Sequence, residues 1–410
     1  MSKSIKDTPE QAEFRAYCKE WLADNVPAKP DFRLPQTSLE IMTTEQLDYL
    51  VAWEKAAYDA GLVGCDYPKE YGGGGRTGCQ RIANQEMKSV ETPFLPNYIG
   101  LGMAAPTILY HASEELKTRL LPRLLSGEDI WCQGFSEPGA GSDLSSVKCS
   151  AERKGDKWII NGHKVWTTIA HFAEWMILLA RSDKNDRYNG LSYFVVPIRE
   201  NLDKGVEVRP LIKMTGETGF NEVIFTDVEV PDAYRLDEVG AGWKVAMTTL
   251  THERGAGPMV TPASGKSADS SDKPSGAYAL IDLAKQTAKY GKTAADDPMT
   301  REKIMQLVVR QEAIKQAARL SYVKPLIENP ARVGLANKLV RTEMKQASSE
   351  LGWEIEGMAG SLYIDDPLAP NGGQNALTYM NSFGGTIAGG TSEVQKNILG
   401  ERVLGLAKSK

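Results

Sequence analysis

Two short segments carry residue types that could hold a large, flat cofactor. Residues 136–143 read S-E-P-G-A-G-S-D, and residues 161–168 read N-G-H-K-V-W-T-T. Glycines let a backbone approach a phosphate or a ring closely, and the tryptophan and threonines add an aromatic face and hydroxyls. Neither segment has the G-x-G-x-x-G pattern of a dinucleotide-binding Rossmann fold. The pair therefore predicts a phosphate-bearing aromatic cofactor held on another fold, with a flavin as the first candidate.

The composition of the 410-residue chain is that of an ordinary globular protein, with 41% hydrophobic and 25% charged residues. A net charge of −5 gives no indication of a nucleic-acid or anionic-membrane partner. No apolar run is long enough to span a membrane, and the first residues lack an apolar signal core, which favours a cytoplasmic protein. The five cysteines and four histidines fit no ligand spacing, so we expect no metal site.

Hydrophobic periodicity predicts helices on both sides of a β region. Thr8 and Pro9 are typical of a helix start, and Gly61 of a helix end. Between residues 131 and 231, apolar runs of strand length replace the helical period. There, the dipeptide Asn161-Gly162 lies between two strand-like runs and predicts a β-hairpin with a type I′ turn.

The predicted fold class is therefore α+β. An N-terminal helical domain is expected over residues 1–128, a middle antiparallel β domain over 129–238, and a C-terminal helical domain over 239–410. Residues 261–276 are rich in Ser, Pro, Gly, Lys and Asp, a composition that predicts a polar surface loop.

With four motifs in order, the chain resembles the acyl-CoA dehydrogenase family over nearly its whole length. The motifs are E-P-G-A-G-S-D at 137–143, N-G-H-K-V-W-T-T at 161–168, F-N-E-V-I-F-T-D-V-E-V-P at 220–231, and G-G-T-S-E-V-Q-K-N-I-L-G-E-R-V-L-G-L at 389–406. The resemblance implies a C-terminal four-helix bundle and FAD between it and the β domain, with part of the FAD reaching a neighbouring subunit. It also implies α,β-dehydrogenation of an acyl-CoA, an electron-transfer flavoprotein as acceptor, and a tetramer.

The resemblance also implies the site residues. Those expected to contact FAD are Gln133, Phe135, Ser136, Gly141, Ser142, Trp166, Thr168, Thr391 and Glu393. Ser142 and Arg254 are expected to contact the substrate. For Trp166 the alternative is packing in the core of the β domain.

The reaction needs a carboxylate that removes the α-proton of the substrate. In many family members a glutamate just before the tail G-T-S does this, but here that residue is Gly389. A minority pattern, as in isovaleryl-CoA dehydrogenases, puts the base on an earlier helix directly before an arginine, which matches Glu253 and Arg254. On a helical wheel Arg254 falls at the centre of an apolar stripe and Glu253 on its edge, so Glu253 is the predicted base. The alternative is a solvated glutamate or an ion pair with Arg254.

Two departures from the family pattern concern the adenosine half of FAD. Thr287 stands where an R-x-x-F-G arginine reaches the flavin pyrophosphate of a neighbouring subunit, and the Q-x-x-G-G-x-G-Y segment is poorly matched around residues 354–360. Either the chain pairs with a different subunit in an α₂β₂ heterotetramer, or Lys285 and Lys289 substitute in a homotetramer.

Three functions remain open from the sequence. The main hypothesis is an FAD-dependent acyl-CoA dehydrogenase with Glu253 as base. The alternatives are a flavin monooxygenase or oxidase on the same fold, and a non-catalytic partner subunit of a heterotetramer. Because Gly389 and Gly390 are small, a wide pocket for a branched, cyclic, long or steroid-derived acyl group is expected.

Overall fold

The computed structural model describes residues 7–90, 92–254, 261–262, 276–320 and 333–408. The chain divides into two compact units, Met1–Ser271 and Asp272–Lys410. Most of the predicted polar loop at 261–276 lies outside the described residues. Among the described residues, no helix combines the length and the apolar character that crossing a bilayer would need.

The first unit begins with five helices: α1 (Pro9–Asn25), α2 (Thr44–Asp59), α3 (Cys79–Ser89), α4 (Ala105–His111) and α5 (Glu114–Leu125). The predicted start of α1 is confirmed, because the Thr8 side chain accepts a hydrogen bond from the backbone N–H of Gln11 in a capping box. Gly61 follows α2 with φ 74°, as predicted for a helix end. A π-helical turn, Gly100–Ala104, leads directly into α4.

Eight strands form one mostly antiparallel sheet: β1 (Trp131–Gly134), β2 (Ser150–Lys154), β3 (Lys157–Thr168), β4 (Trp175–Arg181), β5 (Leu191–Pro197), β6 (Val206–Leu211), β7 (Phe220–Pro231) and β8 (Arg235–Leu236). Their order is β6-β7-β3-β2-β4-β5-β8, with β1 beside β4. The pairs β1–β4 and β2–β4 are parallel, so the sheet is not purely antiparallel as predicted. A short helix, α6 (Ile198–Asn201), follows β5, and α7 (Gly242–Glu253) packs against β5 after the last strand.

The predicted hairpin at Asn161-Gly162 is wrong. β3 runs unbroken through both residues, and Asn161 pairs with Ser150 of β2. The turn lies at Gly155-Asp156 instead, where Gly155 has φ 66°. A Cβ on Gly162 would come within 2.6 Å of the Cα of Cys149, so this glycine permits close packing between strands and does not make a turn.

The second unit is helical, as predicted. Its helices are α8 (Ala279–Gln286), α9 (Pro298–Leu320), α10 (Val333–Glu356), α11 (Gln374–Ile387) and α12 (Ser392–Ile398), and a two-stranded ribbon, β9 (Ala288–Lys289) and β10 (Lys292–Thr293), follows α8. Ala284, Ile304, Met344 and Leu351 are among the buried residues that form its core.

A buried polar junction fixes the start of the sheet in the first unit. The backbone N–H of Asn97 donates to Glu54 Oε2 (3.1 Å), and the Asn97 side chain donates to the carbonyl of Asp129 (3.0 Å). The same side chain accepts from the backbone N–H of Trp131 (3.0 Å), the first residue of β1. Glu54 is fully buried, and burial raises its pKa to about 8. The junction therefore holds a protonated carboxyl at neutral pH.

The Glu54 carboxyl makes stability depend on pH. Its folded pKa of about 8 exceeds the ordinary value of 4.5, so the unfolded state loses its proton first, and stability falls as pH rises from about 4.5 to about 8 and then levels off. Between pH 6 and 9 this group alone should cost about 3 kcal/mol. Glu54→Gln keeps an acceptor for Asn97 and should flatten this part of the fall, measured as Tm against pH. An identical pH dependence in the variant would contradict the assignment.

Candidate functional site

Trp166 lies at a bulge near the end of β3 that turns its side chain out of the sheet. The register with β7 shifts between Lys164 and Thr167, and Trp166 has φ 60°. Bulges of this kind re-aim a side chain. The indole is 59% exposed and meets the Phe220 ring edge to face at 5.9 Å between centroids. Core packing of Trp166, the alternative from the sequence, is therefore wrong.

Two reciprocal hydrogen bonds lock this bulge. The Thr167 hydroxyl donates to the carbonyl of Asn221 (2.6 Å), and the Asn221 amide donates to the carbonyl of Thr167 (3.2 Å). Thr168 pairs with Phe220 in the ladder and is buried. The exposed indole thus stands on a rigid strand end.

The segment that leaves β1 lies alongside Trp166. The backbone N–H of Val165 donates to the carbonyl of Ser136 (2.9 Å). Gln133 Nε2 is buried and has no hydrogen-bond partner among the described residues, an arrangement that is costly unless a ligand accepts from it. The Phe135 ring is buried in the core, whereas Ser136 is half-buried.

The loop after Ser136 exposes its backbone to solvent at residues with small side chains or none. Glu137 and Ala140 exchange two backbone hydrogen bonds of 2.8 and 3.0 Å, which close a tight turn. Gly139, Gly141 and Ser142 are exposed, and a Cβ added to either glycine would meet nothing within 4 Å. An exposed indole, an unsatisfied amide and an open glycine-serine loop together fit a flat heterocycle that carries phosphate.

Helix α7 brings Glu253 to the same unit. A Cβ on Gly242 would lie 2.6 Å from the backbone of Leu191 and Ser192, so glycine lets the helix start directly against β5. His111 ties the helix to α4, with Nδ1 at 3.1 Å from Asp237 Oδ2 and Nε2 at 2.8 Å from the Thr248 hydroxyl. The helix that ends at Glu253 is therefore held at its start and its middle.

The buried face of α7 differs from the apolar stripe that the helical wheel predicts, which consists of Trp243, Ala246, Met247 and Leu250. Its buried residues are Gly242, Val245, Ala246, Thr249 and His252. Arg254 is exposed at the C-cap, so its predicted place at the centre of an apolar stripe is wrong, because the helix ends at Glu253 and the buried face is rotated away. Glu253 is half-buried, as expected for the edge of the face.

Two tyrosines lie within electrostatic reach of the Glu253 carboxylate. Burial raises the pKa of Tyr98 and of Tyr193, and the negative charge of Glu253 raises both further. The Tyr193 hydroxyl is 2.9 Å from Thr249 Oγ1, and its ring meets the Phe135 ring edge to face at 5.8 Å. Tyr193 thus connects the end of α7 to the segment after β1. Sequence reasoning missed it, since it reads as one more apolar residue of a buried strand.

The second unit contains Thr391 and Glu393. The Thr391 side chain caps α12 by accepting from the backbone N–H of Val394 (3.2 Å), and Glu393 is in the first turn. Both line a surface pocket with Lys396. Gly389 just before them has φ 65°, a conformation that disfavours a glutamate.

The two segments that differ from the family pattern for the adenosine half of FAD also lie in the second unit. The Thr287 hydroxyl folds back onto α8 and donates to the carbonyl of Leu283 (2.8 Å). Lys289 Nζ lies 2.5 Å from Asp297 Oδ2, so its charge is already balanced, and Tyr290 beside it is 96% exposed.

Family models of the acyl-CoA dehydrogenase N-terminal, middle and C-terminal domains match residues 8–128, 132–228 and 240–404. The chain belongs to the acyl-CoA dehydrogenase family. It is similar to acyl-CoA dehydrogenase IpdE1 of Mycobacterium tuberculosis, at 35% identity over 97% of this chain and 98% of that one. The predicted FAD cofactor and an oxidoreductase activity on acyl-CoA are confirmed, and the chain is a flavoprotein of lipid metabolism.

Two solved structures share the fold along the whole chain. The ChsE4-ChsE5 complex from Mycobacterium tuberculosis is 26% identical, with a TM-score of 0.74 over 99% of this chain and 100% of that one. A variant of the Tcur3481-Tcur3483 steroid ACAD is 25% identical, with a TM-score of 0.74 over 98% of this chain and 99% of that one.

The exposed indole gives a direct test of the flavin site. FAD titrated into FAD-free protein should quench tryptophan fluorescence, and Trp166→Phe should remove most of this quench although the chain has eight tryptophans. Trp21→Phe, a half-buried tryptophan in α1, is the control and should leave the quench almost unchanged. Equal quenching in the two variants would place the flavin away from Trp166.

Proposed function

We propose that the chain is an FAD-dependent acyl-CoA dehydrogenase in which Glu253 removes the α-proton and a 2-enoyl-CoA is formed. The observation that carries the proposal is the position of Glu253. It is half-buried at the end of helix α7, and Tyr193 links this helix to the flavin segment because its hydroxyl lies 2.9 Å from Thr249 Oγ1 and its ring packs on Phe135. The left-handed backbone of Gly389 supports a base away from the tail motif.

In the proposed reaction, residues around the end of α7 bind the proton, exclude water and contact the substrate. The Glu253 carboxylate accepts the proton from the α-carbon, and the buried ring of Tyr193 and the half-buried ring of Tyr98 help exclude water from the carboxylate. FAD held in the proposed site would supply the acceptor for the hydride of the β-carbon, so that the thioester would lose one proton and one hydride in total. Arg254, exposed beside the base, contacts the thioester or the CoA.

The residues proposed to contact the cofactor include both exposed and buried ones. Gln133, Phe135 and Ser136 contribute backbone or amide groups to the flavin ring, together with Trp166 and Thr168. Gly141 and Ser142 meet the phosphates or the pantetheine chain of CoA. In the second unit, Thr391 and Glu393, which line a surface pocket, are proposed to contact FAD.

The two alternatives are less well supported. The full-length relatives at 35% identity carry the name acyl-CoA dehydrogenase, which favours a dehydrogenase over a monooxygenase or an oxidase. A non-catalytic partner subunit would not need both a half-buried Glu253 and an open flavin loop in the same unit.

For the assembly, we favour an α₂β₂ heterotetramer with a related chain over a homotetramer. Thr287 offers no charge to a pyrophosphate, Lys289 is already paired, and one of the structural relatives is the ChsE4-ChsE5 complex. The substrate class that fits the small Gly389 and Gly390 is a bulky cyclic, steroid-derived acyl-CoA, in keeping with the steroid ACAD relative. An electron-transfer flavoprotein is the proposed acceptor.

Replacing the base tests the proposal. Glu253→Gln should retain FAD but lower the rate of anaerobic flavin bleaching by acyl-CoA about 10²–10⁴-fold, the range for loss of a general base. The probe is whichever member of a panel of straight, branched and steroid-derived acyl-CoAs bleaches the wild-type flavin fastest. Glu238→Gln, an exposed glutamate upstream of α7, is the matched control. Unchanged bleaching in Glu253→Gln would refute the assignment, and oxygen consumption without acyl-CoA would favour the oxidase.

The assembly is tested by isolating the chain with an affinity tag from its own source. We expect a second, different family chain in equal amount, because the adenosine half of FAD then has a cationic partner. The measurement is the native mass of the complex with the identity of its chains. Four copies of this chain alone would contradict the heterotetramer and leave the proposed chemistry intact.

A further inference from the structure

A charged pair inside the first unit joins the two motifs from which the flavin site is built. The Lys164 side chain is completely buried, and Glu137 has only 8% of its side chain exposed. Lys164 Nζ donates to Glu137 Oε1 at 2.8 Å and to the carbonyl of Phe135 at 3.1 Å. One motif supplies the ammonium, the other supplies the carboxylate, and the carbonyl acceptor belongs to Phe135 directly before that second motif.

The Glu137 carboxylate is satisfied on both oxygens. Oε2 accepts from the backbone N–H of Lys148 (2.7 Å), and Oε1 also accepts from that of Cys149 (2.9 Å). Three stretches of chain therefore meet at one carboxylate: the exit of β1, the entry to β2 and the middle of β3. A buried ion pair is tolerated when hydrogen bonds satisfy its remaining capacity, and removing one partner leaves an uncompensated charge.

The pair lies directly behind the surface that would meet FAD. Phe135, whose carbonyl it holds, is next to Ser136, which in turn accepts from the N–H of Val165 beside the exposed Trp166. Glu137 begins the turn that ends in the exposed glycine-serine loop. Fixing Lys164 to Glu137 thus fixes the ring-facing segment and the base of the phosphate-facing loop together.

We propose that Lys164 and Glu137 are positioning residues that preform the FAD-binding segment 135–142 before the cofactor binds. The pair does not touch the cofactor and takes no part in proton transfer. Its role rests on FAD binding, and it is independent of the assignment of Glu253.

The test compares FAD affinity with stability. Lys164→Met should raise the Kd for FAD at least tenfold and change the visible circular dichroism of the bound flavin at a temperature well below Tm. Lys157→Met removes an exposed lysine of the same strand, paired with Glu229 at 2.7 Å, and controls for charge. Val228→Ala truncates a buried residue opposite Ile160 and controls for lost stability. Both controls should bind FAD within twofold of wild type.

Two results would overturn the proposal. One is a Lys164→Met protein with wild-type affinity and spectrum, and the other is an equal loss of FAD in Val228→Ala, which would make the effect one of general stability. If Lys164→Met does not fold, Lys164→Gln replaces it, since the carboxamide can donate to Phe135 without a charge. FAD binding by Lys164→Gln as tight as wild type would then overturn the role of the ammonium.

Discussion

The buried contact between Lys164 and Glu137 is the constraint on which the proposed cofactor site depends. It joins β3 to the exit of β1 at 2.8 Å in a region with almost no exposed surface. Loss of one partner of such a pair costs about 3–5 kcal/mol in other proteins. The same strand then bulges two residues later and turns Trp166 outward. Within three consecutive residues, the strand thus changes from the buried, ion-paired Lys164 to the exposed Trp166.

Helix α7, which carries the proposed base Glu253, is attached to this frame through side chains of the first unit. Tyr193 contacts Phe135 on one side and Thr249 of α7 on the other, and His111 bridges Asp237 and Thr248. Proton abstraction needs the carboxylate to be held within a fraction of an ångström of the productive position. A helix packed on β5 and tied at several points meets this requirement better than a loop, which gives a physical reason for a base at Glu253 where the tail position is a left-handed glycine.

Much of the architecture could be predicted from the sequence, because helix caps such as Thr8 and strands of continuous apolar residues have local causes. The unbroken strand through Asn161-Gly162 could not, since the glycine is required by close packing against Cys149 and not by a local turn. The burial of Lys164 was also hidden, because a lysine in a strand ordinarily faces water. The sequence motifs predict which residues form the cofactor site, but only tertiary contacts reveal which of those residues hold the fold together.

Amide hydrogen exchange of the FAD-free protein tests the central claim most directly. If the segment is preformed, the amides of Glu137, Lys148, Cys149 and Val165, all hydrogen-bonded within this frame, should exchange as slowly as those of the central strands and change little when FAD is added. Rapid exchange of these amides without FAD, followed by protection once it binds, would show that the cofactor itself organises the segment and would contradict the account.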